Sequence, residues 1–169
     1  MLRILHQIFR TGMVTEALPE AVDAELSAVG CHLQAAIRRR FHHSLVIRQI
    51  DAGSCNACEQ EIIALNNPIY NCERFGLQFT ASPRFADLLL VTGPVSVNME
   101  IALKRTVAAT PTPKMVVAVG DCGCNGGVFG TSYASLGAVK NVIPVDAEIP
   151  GCPPSPVELL HGLLLLIDG

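Results

Sequence analysis

Residues 114–127 read Lys-Met-Val-Val-Ala-Val-Gly-Asp-Cys-Gly-Cys-Asn-Gly-Gly, an apolar run that passes directly into a turn rich in glycine and cysteine. The apolar part, residues 114–119, is typical of a central parallel strand, because such a strand is buried on both faces. From residue 45 onward, short β-branched runs alternate with helical stretches, which predicts an α/β fold with a mainly parallel sheet. The predicted strands cover residues 45–50, 77–80, 87–91, 114–119 and 141–145, and the predicted helices cover residues 58–65, 95–109 and a last stretch from Pro156.

The chain divides near residue 44 into two predicted parts. In residues 1–44, apolar residues recur at three- and four-residue steps, which predicts an amphipathic helix that begins after Pro19. We expect this part to be an extension that docks against other subunits, and residues 45–169 to form one α/β domain. The apolar positions of the amphipathic helix are Val22, Leu26, Val29, Leu33 and Ile37.

The composition narrows the class of protein. Half of the 169 residues are apolar, and only 16% are charged. The mean hydropathy is +0.40, so we expect a rich core together with apolar surface that partner subunits cover. A net charge of −3 gives no reason to propose nucleic-acid binding. The apolar stretch at residues 157–167 contains Glu158 and His161 and predicts a buried helix, so any membrane association is expected to come through partner subunits.

Seven cysteines in a chain without a secretory signal indicate a reducing compartment, in which thiols serve as ligands. Four of them lie in segments punctuated by glycine or proline, which follow predicted strands. Because the carboxyl ends of parallel strands meet at one edge of a sheet, we expect these four side chains to converge there. The four are Cys55, Cys58, Cys122 and Cys152.

Several kinds of site use cysteines in this way. Disulfides disagree with a reducing compartment, and a structural zinc site usually takes its ligands as two local pairs. A thioredoxin-like redox pair would use Cys55 and Cys58 alone, whereas a 4Fe–4S cluster uses four thiolates. Spacing alone does not choose between Cys122 and Cys124. Of the other cysteines, Cys31 is expected to pack on an apolar helix face, and Cys72 has no recognisable partner motif.

The three cysteine segments occur in the order seen in the small-subunit family shared by NiFe hydrogenases and the cluster-bearing subunit of respiratory complex I, which residues 45–167 resemble. The family pattern Gly-x-Cys-x-x-x-Gly-Gly matches residues 120–127, and Pro-Gly-Cys-Pro-Pro at residues 150–154 matches the last ligand motif. The resemblance implies a flavodoxin-like fold with helices on both faces of the sheet. It also implies one 4Fe–4S cluster, with Cys122 rather than Cys124 as the third ligand.

The first motif is most similar to that of energy-converting, membrane-associated NiFe hydrogenases of the formate-hydrogenlyase type, because complex I subunits carry adjacent cysteines there. This resemblance implies an electron-transfer subunit that is not catalytic alone. Its cluster would lie proximal to the active site of a NiFe hydrogenase-type large subunit and exchange electrons with a ferredoxin-like iron–sulfur subunit. Membrane subunits would hold the complex on the cytoplasmic face of the membrane.

Two acidic residues follow Cys58. Glu61, one helical turn further on, matches an acidic position of the family and is a candidate proton relay, whereas Glu59 is expected to face solvent. Two other functions are open: a complex I-like subunit that passes electrons to quinone, and a cluster-containing subunit with an assembly role.

Overall fold

The computed structural model describes residues 2–11 and 20–169. Pro19 and the side chain of Val22, on which the predicted start of the amphipathic helix rested, lie outside the described residues. The strands are β1 (Leu45–Asp51), β2 (Leu77–Phe79), β3 (Leu88–Thr92), β4 (Met115–Val119) and β5 (Ala147–Ile149). The helices are α1 (Leu2–Thr11), α2 (Glu20–Phe41), α3 (Ala57–Ala64), α4 (Glu100–Ala109), α5 (Gly120–Asn125) and α6 (Pro156–Asp168).

The five strands form one parallel sheet in the order β2-β1-β3-β4-β5. This is the strand order of flavodoxin-like folds, so the predicted fold class is confirmed. The order places β3 at the centre, between β1 and β4. The first strand pair, β1 and β2, is joined through α3, and β3 is joined to β4 through α4.

The sheet separates two apolar clusters, one on each face. Successive side chains of a strand point to opposite faces, so Leu88 and Leu90 of β3 join the first cluster and Leu89 and Val91 join the second. Strand β4 alternates in the same way. Buried residues of α2, α3 and α6 complete the first cluster, and those of α4 and α5 complete the second. Helices therefore cover both faces of the sheet, as the resemblance implied.

Helices α2 and α6 pack side by side over the first face. The buried positions of α2 include Leu26, Leu33 and Ile37, which is the predicted apolar stripe. Cys31 is exposed, so its predicted packing is wrong. Its position on the helix is about 200° of rotation from Val29, which points it away from the stripe.

The two ends of α6 are held by side chains. At the start, the Ser155 N–H donates to Glu158 Oε2 (2.7 Å) and the Glu158 N–H donates back to Ser155 Oγ (3.4 Å), a capping box. At the end, Arg40 Nη1 of α2 donates to the carbonyl oxygens of Leu166 and Ile167, both at 3.1 Å. A cation at a helix C-terminus satisfies unpaired carbonyl groups, so the basic end of α2 helps to fix α6.

The predicted helix over residues 95–109 begins later, at Glu100. The Val95 N–H donates to the Gly137 carbonyl (2.8 Å), and the Leu136 N–H donates to the Val95 carbonyl (2.7 Å). Because these groups bond to a distant loop, the segment before Glu100 does not join the helix. Sequence periodicity alone does not reveal such a competing partner.

The predicted edge strand over residues 141–145 is wrong, because the strand that pairs with β4 is β5. Pro144 has no N–H to donate, so the ladder begins beyond it. There the Asp146 N–H donates to the Val116 carbonyl (2.8 Å), and the Val116 N–H donates to Asp146 Oδ2 (2.7 Å). Cys152 consequently follows β5 rather than the predicted strand.

Within residues 2–11 and 20–169, no helix is both long enough and apolar enough to cross a membrane.

Gly30 lies inside α2, where the ring of Phe75 packs against it. A Cβ atom at residue 30 would lie 2.2 Å from ring atoms Cε1 and Cζ, and Phe75 is buried in the first cluster. Alanine in place of glycine normally stabilises a helix interior by about 1 kcal/mol. Here we expect Gly30→Ala to lower the free energy of unfolding by about 1–3 kcal/mol, because the ring must move within a packed core.

The measurement is urea unfolding of the chain under reducing conditions, followed by circular dichroism. In a Phe75→Leu background, the smaller side chain leaves room, so the same Gly30→Ala change should cost less or stabilise. If Gly30→Ala raises the stability of the otherwise unchanged chain, α2 does not pack on Phe75 as described.

Candidate metal centre

The cysteine segments lie at the carboxyl edge of the sheet, after β1, β4 and β5. The adjacent strands β1 and β3 lead the chain to opposite faces, β1 into α3 and β3 into α4. Such a switch point leaves a crevice at the carboxyl ends of an open α/β sheet. The predicted convergence of the segments on one edge is therefore seen in the fold.

Asp51, the last residue of β1, shapes the loop that carries Cys55. Its Oδ1 atom accepts the N–H groups of Gly53 and Ser54, both at 2.8 Å. The loop passes so close to the end of β3 that a Cβ atom on Gly93, whose φ is +74°, would lie 2.5 Å from the Ser54 Cα. Glycine is required there for both the backbone angle and the space.

Two reciprocal hydrogen bonds join the segments of Cys122 and Cys152. The Asp121 N–H donates to the Gly151 carbonyl (2.8 Å), and the Gly151 N–H donates to Asp121 Oδ1 (2.9 Å). Because each cysteine is the next residue along the chain, these bonds fix the distance between the two loops. The turn after β4, predicted as a loop, is the short helix α5.

Cys55, Cys58, Cys122 and Cys152 are together called the four-cysteine site. Burial raises the pKa of Cys58 to about 12, and Glu59 and then the other three thiols of the site act in the same direction. Burial raises the pKa of Cys122 too, followed by the effects of Cys152 and Cys55. Cys58 therefore lies within electrostatic range of the other three thiols.

The four cysteines differ in exposure: Cys58 is buried, Cys122 is half-buried, and Cys55 and Cys152 are exposed. A Cβ atom on Gly120 would lie 2.5 Å from Cys58 Sγ, and one on Gly127 would lie 2.6 Å from Cys122 Sγ. Both glycines have positive φ, +80° and +52°. Space beside two of the thiols is therefore kept open by residues without side chains.

The donor set fits a cluster better than a single ion. Among the described residues, no three His, Cys, Asp or Glu side chains are grouped closely enough to bind one metal ion. In a 4Fe–4S cluster each cysteine binds a different iron, so its ligands stand further apart than those of one ion. Burial and the neighbouring thiols raise the pKa of Cys58 and of Cys122, so both thiols need a positive centre nearby to be deprotonated.

Cys124 and Cys72 lie apart from the site. Cys124 is only 5% exposed and belongs to the apolar cluster on the second face, where its thiol donates to the Ala118 carbonyl (3.7 Å). Burial raises its pKa to about 11. Cys72 is buried in the first cluster, and its thiol donates to Asn66 Oδ1 (3.4 Å).

Glu59 does not face solvent, so that prediction is wrong. Its side chain is 5% exposed, and the hydroxyl of Thr92, at the end of β3, donates to its Oε1 atom. The same hydroxyl lies 3.2 Å from the Ile50 carbonyl, and a hydroxyl has one proton to donate. Oε2 is buried without a hydrogen-bond partner among the described residues. Helix α3 starts against the sheet edge, so its first turn points this carboxyl group inward beside Cys58.

Glu61 lies on the same helix and is half-buried. It follows Cys58 by one turn, as predicted, and so lies on the same side of α3. The two acidic residues therefore have opposite surroundings: Glu59 is enclosed against β3, and Glu61 has access to the surface.

Comparison with known proteins gives relatives along most of the chain. It is 36% identical to formate hydrogenlyase subunit 7 of Escherichia coli over 150 residues, which are 89% of this chain and 57% of that one. It is 45% identical to the probable membrane-bound hydrogenase subunit mbhJ of Pyrococcus furiosus over 119 residues, 70% of this chain and 71% of that one. The chain thus spans less than two thirds of the first of these relatives.

A solved structure shows the same fold. A chain of the membrane-bound sulfane sulfur reductase, an archaeal respiratory membrane complex, is 33% identical with a TM-score of 0.67, covering 80% of this chain and 74% of that one. Residues 55–166, which include the whole four-cysteine site, match the family described as "NADH ubiquinone oxidoreductase, 20 Kd subunit". The resemblance drawn from the sequence is thus confirmed, and the chain belongs to the NADH ubiquinone oxidoreductase 20 Kd subunit family.

Proposed function

We propose that the four-cysteine site holds one 4Fe–4S cluster and that the chain relays electrons to or from the active site of a larger partner subunit. The observation that carries this proposal is the convergence of four thiols from three segments of the chain at one edge of the sheet. The cluster, when bound, supplies a centre that accepts and returns one electron at a time.

Cys122 rather than Cys124 is the proposed third ligand. Cys122 contributes to the raised pKa of Cys58, after burial and Glu59, and its own pKa is raised by burial and then by Cys152 and Cys55. The backbone N–H of Val128 bonds to the Cys122 thiol and acts on its pKa in the opposite direction, so it favours the thiolate. Cys124, in contrast, packs in the core and donates to a backbone carbonyl.

The protein's part is to position the thiolates and to tune their surroundings. The Asp121–Gly151 pair holds two ligand loops in register, and Asp51 holds the third. N–H groups directed at sulfur favour the more reduced, more negative state of a cluster, whereas a buried carboxyl group near Cys58 opposes added negative charge when ionised. Val128 and Glu59 would therefore shift the potential of a bound cluster in opposite directions.

A partner is expected to cover the loop that follows Cys122. Val128 is 93% exposed and Tyr133 99% exposed, with Phe129 also at the surface. These apolar side chains lie directly after the glycine pair of the ligand motif. A catalytic subunit docked there would bring its active site close to the cluster, which short-range electron transfer needs.

The relatives suggest the kind of partner. Two of them are subunits of formate hydrogenlyase and of a membrane-bound hydrogenase. They favour, as partners of this chain, a NiFe hydrogenase-type large subunit, a ferredoxin-like iron–sulfur subunit and membrane subunits. Such a complex would hold the chain peripherally on the cytoplasmic face of the membrane. The family's description favours a second candidate, transfer of electrons to quinone.

The test of the ligand set compares two serine variants in the assembled complex, purified anaerobically from cells that make it. We expect Cys122→Ser to lower cluster iron and electron transfer by at least about ten-fold. Mutating a residue that only hydrogen-bonds to a metal ligand commonly costs that much, and loss of the ligand itself should cost no less. We expect Cys124→Ser to keep both, since a serine hydroxyl can donate to the same carbonyl.

Iron content is measured per chain, and electron transfer as hydrogen evolution from a reduced viologen and, separately, as quinone reduction. The two assays distinguish the two candidate partners. Loss of iron from Cys124→Ser with retention in Cys122→Ser contradicts the proposed ligand set, and retention in both variants contradicts Cys122 as a required ligand.

Glu61 is proposed as a proton relay at the partner interface. If it passes protons, Glu61→Gln should slow turnover of the complex by roughly 10²-fold, the lower end of what a positioned acid–base group contributes. The pH profile should change as well, while iron content and reduction by dithionite stay the same. Glu73→Gln, an equivalent change away from the site, is the control. Unchanged turnover and pH profile in Glu61→Gln would remove the relay role.

A further inference from the structure

Helix α1 divides lengthwise into an apolar half and a polar half. Each residue of an α-helix turns by about 100°, so the five apolar side chains of α1 fall within an arc of about 160° and the five polar ones within the rest. All ten side chains are exposed, with Leu2 and Phe9 each 86% exposed. The apolar side chains are Leu2, Ile4, Leu5, Ile8 and Phe9.

The polar half is cationic. It carries Arg3 and Arg10, one near each end of the helix, with His6 between them. The helix contains no acidic residue, although the whole chain has a net charge of −3. The positive charge is therefore a local property of this helix and is placed directly beside its apolar surface.

We propose that α1 lies in the surface of a membrane that contains anionic phospholipids, with its apolar half among the acyl chains and its arginines at the phosphates. Ten residues span about 15 Å, half of the hydrocarbon thickness, so the helix lies in the membrane plane and does not cross it. The contact is one that this chain makes itself, beyond the peripheral association through partner subunits in the proposed function.

The charge pattern favours lipid over a protein groove. Large apolar side chains on one half, and arginine on the other without any acidic residue, are the pattern of interfacial helices. The phosphate groups of anionic lipids form a negatively charged layer at the membrane surface, where both arginines would lie.

The test measures binding of the full-length chain to lipid vesicles by flotation, with its cluster iron measured in the same anaerobic preparation. Vesicles of phosphatidylcholine are compared with vesicles that contain about 25% phosphatidylglycerol, since anionic lipid attracts basic segments. Ile8→Ser on the apolar half is matched by Gln7→Ser on the polar half. Both variants introduce the same residue into neighbouring positions of an exposed helix, so neither should disturb the sheet.

We expect the chain to float with the anionic vesicles. Ile8→Ser should weaken binding by at least about ten-fold, because a buried isoleucine contributes about 1.5–3 kcal/mol, while Gln7→Ser should stay within about two-fold. Arg10→Gln should weaken binding roughly five-fold on the anionic vesicles only.

Absence of binding to either kind of vesicle overturns the proposal, as does equal binding of Ile8→Ser and Gln7→Ser. If Ile8→Ser instead releases a subunit from the purified complex and leaves vesicle binding unchanged, a protein covers the apolar half and the lipid contact is wrong. Cluster iron is independent of these outcomes, so failure here is separate from failure of the electron-transfer proposal.

Discussion

The structure depends on bringing four sulfur atoms from three segments of the chain to one edge of a parallel sheet. Thiolates that lie close together repel one another, and Cys58 already shows this in a pKa raised to about 12 by burial, Glu59 and its three neighbours. Local geometry at the edge serves this arrangement. Asp51 folds one ligand loop, the Asp121–Gly151 pair joins the other two, and Gly120 leaves room at the Cys58 sulfur.

The topology of the parallel sheet determines where the crevice at this edge lies. Because β1 and β3 send the chain to opposite faces, the crevice between their ends is lined by α3 on one side and the β3 turn on the other. Helix α3 places Cys58 at the crevice and Glu59 against Thr92, whose hydroxyl donates to the Glu59 carboxyl group. The same turn therefore delivers a ligand and a buried carboxyl group, which couples the electrostatics of the site to the packing of the sheet.

The central strands and the cysteine-bearing segments could be predicted from the sequence, since a run such as residues 115–119 is apolar on both faces and a glycine lies one or two residues before each cysteine motif. The inward turn of Glu59 could not, because it depends on where α3 meets β3. The choice of Cys122 over Cys124 rested on a family pattern rather than on spacing. The position of the fifth strand could have been predicted better, since Pro144 lacks the N–H that a strand ladder needs.

The most direct test of a cluster at the four-cysteine site is the metal content of the full-length chain purified without oxygen, together with its EPR spectrum after reduction. We expect about four iron and four sulfide ions per chain, and one EPR signal that appears on reduction by one electron. Stoichiometric zinc, or a chain free of iron and sulfide after anaerobic reconstitution with both, would contradict a cluster at this site.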